Sequence, residues 1–137
     1  MAWRYTLDEL ARIVGAQAPA ADASFEGVST DSRRLEPGQV FFALTGQNFD
    51  GNKFVADAFA KGAVAAVTKT ASEAGPCLVV DDPLAALQSF ARQHRLRHPI
   101  PVFALTGSCG KTSVKDLTAA VLGSRMITRL IAPEARD

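Results

Sequence analysis

At 137 residues the chain has room for one domain, or for a small domain and a piece of a second. Hydrophobic residues make up 47% and charged residues 21%, enough to build a core beneath an ordinary charged surface. A formal net charge of +1 gives no electrostatic case for a nucleic-acid or membrane partner, and no apolar run approaches the roughly 18 residues of a membrane span.

Met1-Ala-Trp-Arg4 leads straight into a helical pattern, with no signal-peptide features. Leu7, Leu10, Ala11 and Val14 predict a helix over 7–14, with a Thr6/Glu9 capping box at its start and Gly15 as its stop. After an Ala/Pro-rich loop, Phe25–Thr30 reads as a strand leading into Asp31-Ser32-Arg33. Small hydrogen-bonding groups beside a guanidinium suit an anionic ligand, because Arg can grip a diphosphate with two parallel hydrogen bonds. The same residues suit an Asx turn with a solvated arginine, and residue chemistry leaves both readings open.

Leu35–Gly38 is a turn, Gln39–Leu44 a strand, and Thr45–Gly51 a loop of turn formers. Asp50 or Asn52 caps a helix with Phe54, Val55, Ala58 and Phe59 inward, ended by Gly62. Strands are expected at Ala63–Thr68 and Cys77–Asp81. Asp82-Pro83 then opens a helix to about Arg97, burying Leu84, Leu87, Phe90 and Ala91. Arg92, Arg95 and Arg97 suit its negative end, by about 0.3–1 kcal/mol each, and read as solvated. His94 and His98 have no cysteine or second carboxylate nearby and read as surface residues, not metal ligands. Cys77 and Cys109 form no disulfide framework, so the expected setting is soluble, reducing and cytoplasmic.

Val102–Leu105, boxed by Pro99 and Pro101, reads as a buried strand. Gly107-Ser108-Cys109-Gly110-Lys111-Thr112 comes next, then a helical pattern of Val114, Leu117, Thr118, Val121 and Leu122. Strand, glycine turn, Lys-Thr and helix form the layout of a phosphate-binding loop. Its glycines let N–H groups turn toward an anion, and the helix presents its positive end there. Lys111 can reach terminal phosphates, and the Thr112 hydroxyl can hold magnesium. The usual motif has a glycine where Leu105 stands, and the bland alternative is a strand-to-helix turn that happens to precede a lysine.

Gly107-Ser-x-Gly-Lys-Thr-Ser-Val-Lys-Asp116 resembles the loop of the Mur ligase family, ATP-dependent enzymes that extend the peptide of the bacterial cell-wall precursor. Ser29-Thr-Asp-Ser-Arg33, Pro37-Gly38-x-Val-Phe-Phe-Ala-Leu-x-Gly46 and Phe49-Asp-Gly51 resemble N-terminal motifs shared by its MurE and MurF types. The loop favours the MurF type, which adds D-alanyl-D-alanine; the MurE type more often reads Gly-Thr-Asn-Gly-Lys-Thr-Thr. The likeness covers residues 1 to about 123.

It implies an α/β fold: a small N-terminal domain over 1–98 holding the uridine-diphosphate end of the precursor, then the first strand, loop and helix of an ATP-binding domain over 99–137. By the same resemblance Ser29, Thr30, Asp31, Ser32 and Arg33, with Gly46, Asn48, Asp50 and Gly51, line the precursor site. Gly107, Ser108, Cys109, Gly110, Lys111, Thr112 and Ser113 bind ATP, Lys111 acts in catalysis by neutralising developing phosphate charge, and Thr112 orients Mg2+. In the family, ATP phosphorylates the terminal carboxylate of UDP-N-acetylmuramoyl-tripeptide, and the amine of D-alanyl-D-alanine attacks the acyl phosphate. A monomer is expected. The family's acidic and histidine magnesium ligands, its carbamylated lysine and its third domain find no match here, and the tail from about 123 matches nothing. The chain is therefore expected to be inactive alone, as a truncated product, a shifted reading frame or a cut piece. A MurE-type fragment and a non-catalytic nucleotide-sugar module are the alternatives.

Overall fold

Val40, Phe41, Phe42 and Ala43 are all fully buried, as are Ala65, Ala66, Val67 and Thr68. Strand side chains alternate between faces, so segments buried at every position must be covered on both sides. The computed structural model, which describes residues 3–124, shows that arrangement. The chain divides into two compact units, Met1–Pro99 and Ile100–Asp137.

The first unit begins with β1 (Tyr5–Thr6), α1 (Leu7–Val14) and β2 (Ser24–Phe25), then β3 (Val28–Ser29) and β4 (Val40–Phe42). A 3-10 turn at Gly51–Phe54 runs into α2 (Val55–Ala60), and then come β5 (Ala65–Thr68), β6 (Cys77–Val79) and α3 (Pro83–Arg97). The last four strands form a parallel sheet in the order β3-β4-β5-β6, with Ser29 beside Phe41, Phe42 beside Val67 and Val67 beside Leu78. On one face Val40, Phe42, Ala65, Val67 and Leu78 pack with Leu7, Leu10 and Ala11 of α1 and Ala86 and Phe90 of α3. On the other, Phe41, Ala43 and Ala66 pack with Leu35 and with Val55 and Ala58 of α2.

The first helix has its predicted span, with the Thr6 side chain accepting from the Glu9 N–H, Glu9 closing the box, and Gly15 as a left-handed cap. The expected single strand over 25–30 is instead two. It breaks at Gly27 (φ +104°), because Phe25 pairs antiparallel with Tyr5 while Val28 pairs parallel with Val40. The expected stripe of α3 is also displaced. Leu84 and Ala91 are exposed, and Pro83, Ala86 and Phe90 are buried, with Leu87 partly so. Asp82 caps the helix by accepting from the Leu84 and Ala85 N–H groups, and with that starting phase residue 83 is buried rather than 84.

His94 departs most from expectation. It is half-buried in an aromatic cluster, its Nδ1 is 3.1 Å from the Tyr5 hydroxyl, and its ring lies 4.6 Å from Trp3. Desolvation, then His98 and Arg97, hold its pKa below the ordinary value of 6.5; Glu9 is the nearby acid, 3.5 Å from Arg97. A depressed folded-state pKa means the unfolded chain takes up the proton first, so this stability is present above about 6.5 and is lost as pH falls toward the folded value. The urea midpoint monitored through the single tryptophan should drop on acidification from about pH 7.5 to 5.5, and His94→Gln should flatten that dependence. Equal slopes in the two proteins would remove His94 from the account.

In the second unit the helix after the loop forms as α4 (Lys111–Gly123). The strand expected at Val102–Leu105 does not form: all four residues are exposed and none pairs with a neighbouring strand. A parallel strand needs a partner for its N–H and C=O groups, and the described residues of this unit contain none. The apolar positions of α4 stay uncovered for the same reason, with Val114, Leu117 and Val121 exposed. The unmatched tail lies, beyond Ser124, outside the described residues.

Candidate functional site

The sheet brings two of the singled-out segments to one edge. β3 and β4 are adjacent and parallel, so their outgoing segments depart from the same end: Thr30–Arg33 after β3, and Gly46–Gly51 after β4. In open parallel sheets that carboxyl edge is where ligands bind.

The Asp31 turn is tightly bonded. The Ser29 hydroxyl donates to the Asp31 carbonyl at 2.9 Å and accepts from its N–H at 3.2 Å. Asp31 Oδ1 accepts from the Arg33 N–H at 2.9 Å, an Asx turn, and from Arg33 Nε at 3.0 Å. Asp31 Oδ2 takes a third bond, from Nη2, at 2.9 Å. These bonds, first that of the Arg33 side chain, hold the Asp31 carboxyl down at about 2. The pair's contribution to stability is therefore present above the ordinary carboxyl value of 3.8 and is lost as pH falls from there toward about 2. The turn and the charged group are thus both real: Arg33 is 86% exposed, oriented by Asp31 with most of its guanidinium facing solvent. Ser32 is buried instead, and its carbonyl accepts from Lys61 Nζ at 2.8 Å. Lys61 had no signal in sequence, being 29 residues away.

The second segment is a small hairpin. Thr45 bridges Asp50, the Gly46 N–H donates to the Phe49 carbonyl at 2.6 Å, and the Gly51 N–H donates to the Leu44 carbonyl at 2.7 Å. Gly51 is the residue the geometry demands, because a Cβ there would fall 2.6 Å from the Leu44 carbonyl oxygen. Asp50 caps the next turn by accepting from the Asn52 N–H at 3.0 Å, and the Asn52 side-chain amide, at 2.9 Å, followed by that N–H, lowers its pKa. Asn48 is exposed at the tip, as is Phe49, the first residue of the Phe49-Asp-Gly51 motif.

Gly110 takes the left-handed conformation (φ +76°) that starts α4, and no side chain caps the helix. The N–H groups of Lys111, Thr112 and Ser113 at that first turn are suited to bind an anion, so the residues fit a phosphate group. Gly107, Ser108 and Cys109 precede them and are exposed. For magnesium the fit is partial: Thr112 offers one hydroxyl, and among the described residues no cluster of three His, Cys, Asp or Glu side chains could hold a metal.

A model of the Mur ligase family, catalytic domain, matches residues 24–95. Over 118 residues the chain is 42% identical to the UDP-N-acetylmuramoyl-tripeptide–D-alanyl-D-alanine ligase of Escherichia coli, covering 85% of this chain and 26% of that protein. It is also 42% identical, over 120 residues, to the UDP-N-acetylmuramoyl-L-alanyl-D-glutamate–2,6-diaminopimelate ligase of Mesorhizobium japonicum, covering 84% and 25%. Among solved structures, MurF from Acinetobacter baumannii superposes with a TM-score of 0.79 at 31% identity, over 90% of this chain and 28% of that one. MurF ligase from Thermotoga maritima in complex with ADP gives 0.63 at 27% identity, over 72% and 23%. The chain thus spans about a quarter of the length of the relatives it matches.

Proposed function

The chain belongs to the Mur ligase family, and we propose that it is the amino-terminal portion of a cytoplasmic, monomeric ligase that joins D-alanyl-D-alanine to UDP-N-acetylmuramoyl-tripeptide. In this reading the first unit holds the uridine-diphosphate end of the precursor, and the Gly107–Ser113 loop holds ATP. One observation carries the precursor role: the Asp31-Ser32-Arg33 turn and the Gly46–Gly51 hairpin leave neighbouring parallel strands from one edge. Arg33, held by Asp31, offers its exposed donors to the diphosphate, while Lys61 and Gly51 keep the two segments in shape.

ATP, when bound, supplies the phosphoryl group that activates the precursor's carboxylate. This chain's part is to cradle phosphate with the N–H groups at the start of α4, to neutralise charge with Lys111, and to offer the Thr112 hydroxyl to Mg2+. The remaining magnesium ligands and the D-alanyl-D-alanine site would come from the rest of the ligase, so the 137 residues alone do not ligate.

Calorimetry of the 137-residue chain with UDP-N-acetylmuramoyl-tripeptide tests the edge site. Weak binding is expected, lowered roughly tenfold by Arg33→Ala, the loss of one charge-assisted hydrogen bond. An unchanged affinity in that variant would take the diphosphate away from Arg33. The similar identity to a 2,6-diaminopimelate ligase keeps a MurE-type reading as the second choice. A ligase of full length carrying this segment, offered each amine in turn, decides between them.

A further inference from the structure

We propose that Phe49 is the stacking platform for the uracil ring, so that one edge of the sheet grips the diphosphate with Arg33 and the base with an aromatic face. The inference rests on reading that edge as the uridine-nucleotide site. Among the described residues of the first unit, Phe49 is the exposed aromatic, at 46%; Tyr5, Phe25, Phe41, Phe42 and Phe90 are buried, and Trp3, Phe54 and Phe59 are partly buried against the core.

The exposed ring is also fixed. It stacks on Phe54 at 5.5 Å and 11°, and Phe54 packs on the cluster of Leu35, Phe41 and Val55. Its backbone is tied on both sides, by the Gly46 to Phe49 hydrogen bond and by the Thr45–Asp50 bridge. Phe49 therefore neither folds into the core nor swings freely, and it stands at low entropic cost to a flat ligand. A nucleobase is such a ligand, since every base has a π face. The neighbouring Gln47 and Asn48 are exposed amides, each with the donor and acceptor that the carbonyl and N–H groups of uracil require. No charged side chain precedes Phe49 in the hairpin from Thr45, so the tip is suited to the neutral base and the Asp31 turn to the charged diphosphate.

The test compares UDP with inorganic pyrophosphate, which has no base, by calorimetry on the 137-residue chain. Phe49→Leu still covers Phe54 but cannot stack, and it should weaken UDP binding roughly tenfold while leaving pyrophosphate unchanged. Phe49→Trp should retain UDP affinity, with indole fluorescence quenched by UDP and not by pyrophosphate. Wild-type affinity for UDP in Phe49→Leu overturns the platform and leaves the edge site standing, whereas equal loss of both ligands shows that Phe49 only shapes the hairpin. Failure of the wild-type chain to bind either ligand removes the edge site, and this proposal with it.

Discussion

Phe42→Ala is expected to cost the first unit about 3–5 kcal/mol, while Phe103→Ala costs close to nothing. Phe42 is fully buried at the centre of the sheet, between Val40 and Val67 on one face and 6.4 Å from the Phe90 ring of α3. Its truncation removes a large apolar surface and leaves a cavity that parallel strands on both sides cannot close. Phe103 is 70% exposed and fills no such space. Domains of this size are stable by only about 5–15 kcal/mol, so the first change should move the urea midpoint of the circular-dichroism transition far down. Comparable losses from the two substitutions would mean that residues 102–105 are packed in solution.

Lys111→Ala, placed in a full-length ligase carrying this segment, should lower turnover by at least about 10^2- to 10^3-fold. Lys111 opens α4 directly after Gly110, where a cation can track the charge that develops on a transferred phosphoryl group. The assay is phosphate release with ATP, magnesium, precursor tripeptide and D-alanyl-D-alanine, and in it the 137-residue chain by itself should stay at background. Phosphoryl transfer depends on several groups held in position at once, and the loop here has no paired strand in front of it. Near-normal turnover in Lys111→Ala, or product from the short chain, would show that the chemistry draws on other groups.

Local codes were legible wherever a few adjacent residues decide the outcome. The Thr6/Glu9 box and Gly15 bound the first helix because capping bonds span only three or four residues. Asp82-Pro83 opened α3 for the same reason, and Gly110 began α4. The α/β class followed from strands and helices alternating along the first 98 residues and from the resemblance to the Mur ligase family. What was settled by the tertiary structure is pairing. Phe25 and Val28 belong to different strands because one meets Tyr5 and the other Val40, a choice no window around Gly27 contains. His94 is half-buried because Trp3 and Tyr5, some ninety residues earlier, fold over it. Val102–Leu105 has the composition of a buried strand yet stands unpaired, since a strand exists only when a partner takes its hydrogen bonds. The candidate site at the sheet edge is of the same kind. Its residues are visible one by one in the sequence, but their common edge arises from the parallel register of β3 and β4, and the braced exposure of Phe49 arises from Phe54 packing behind it.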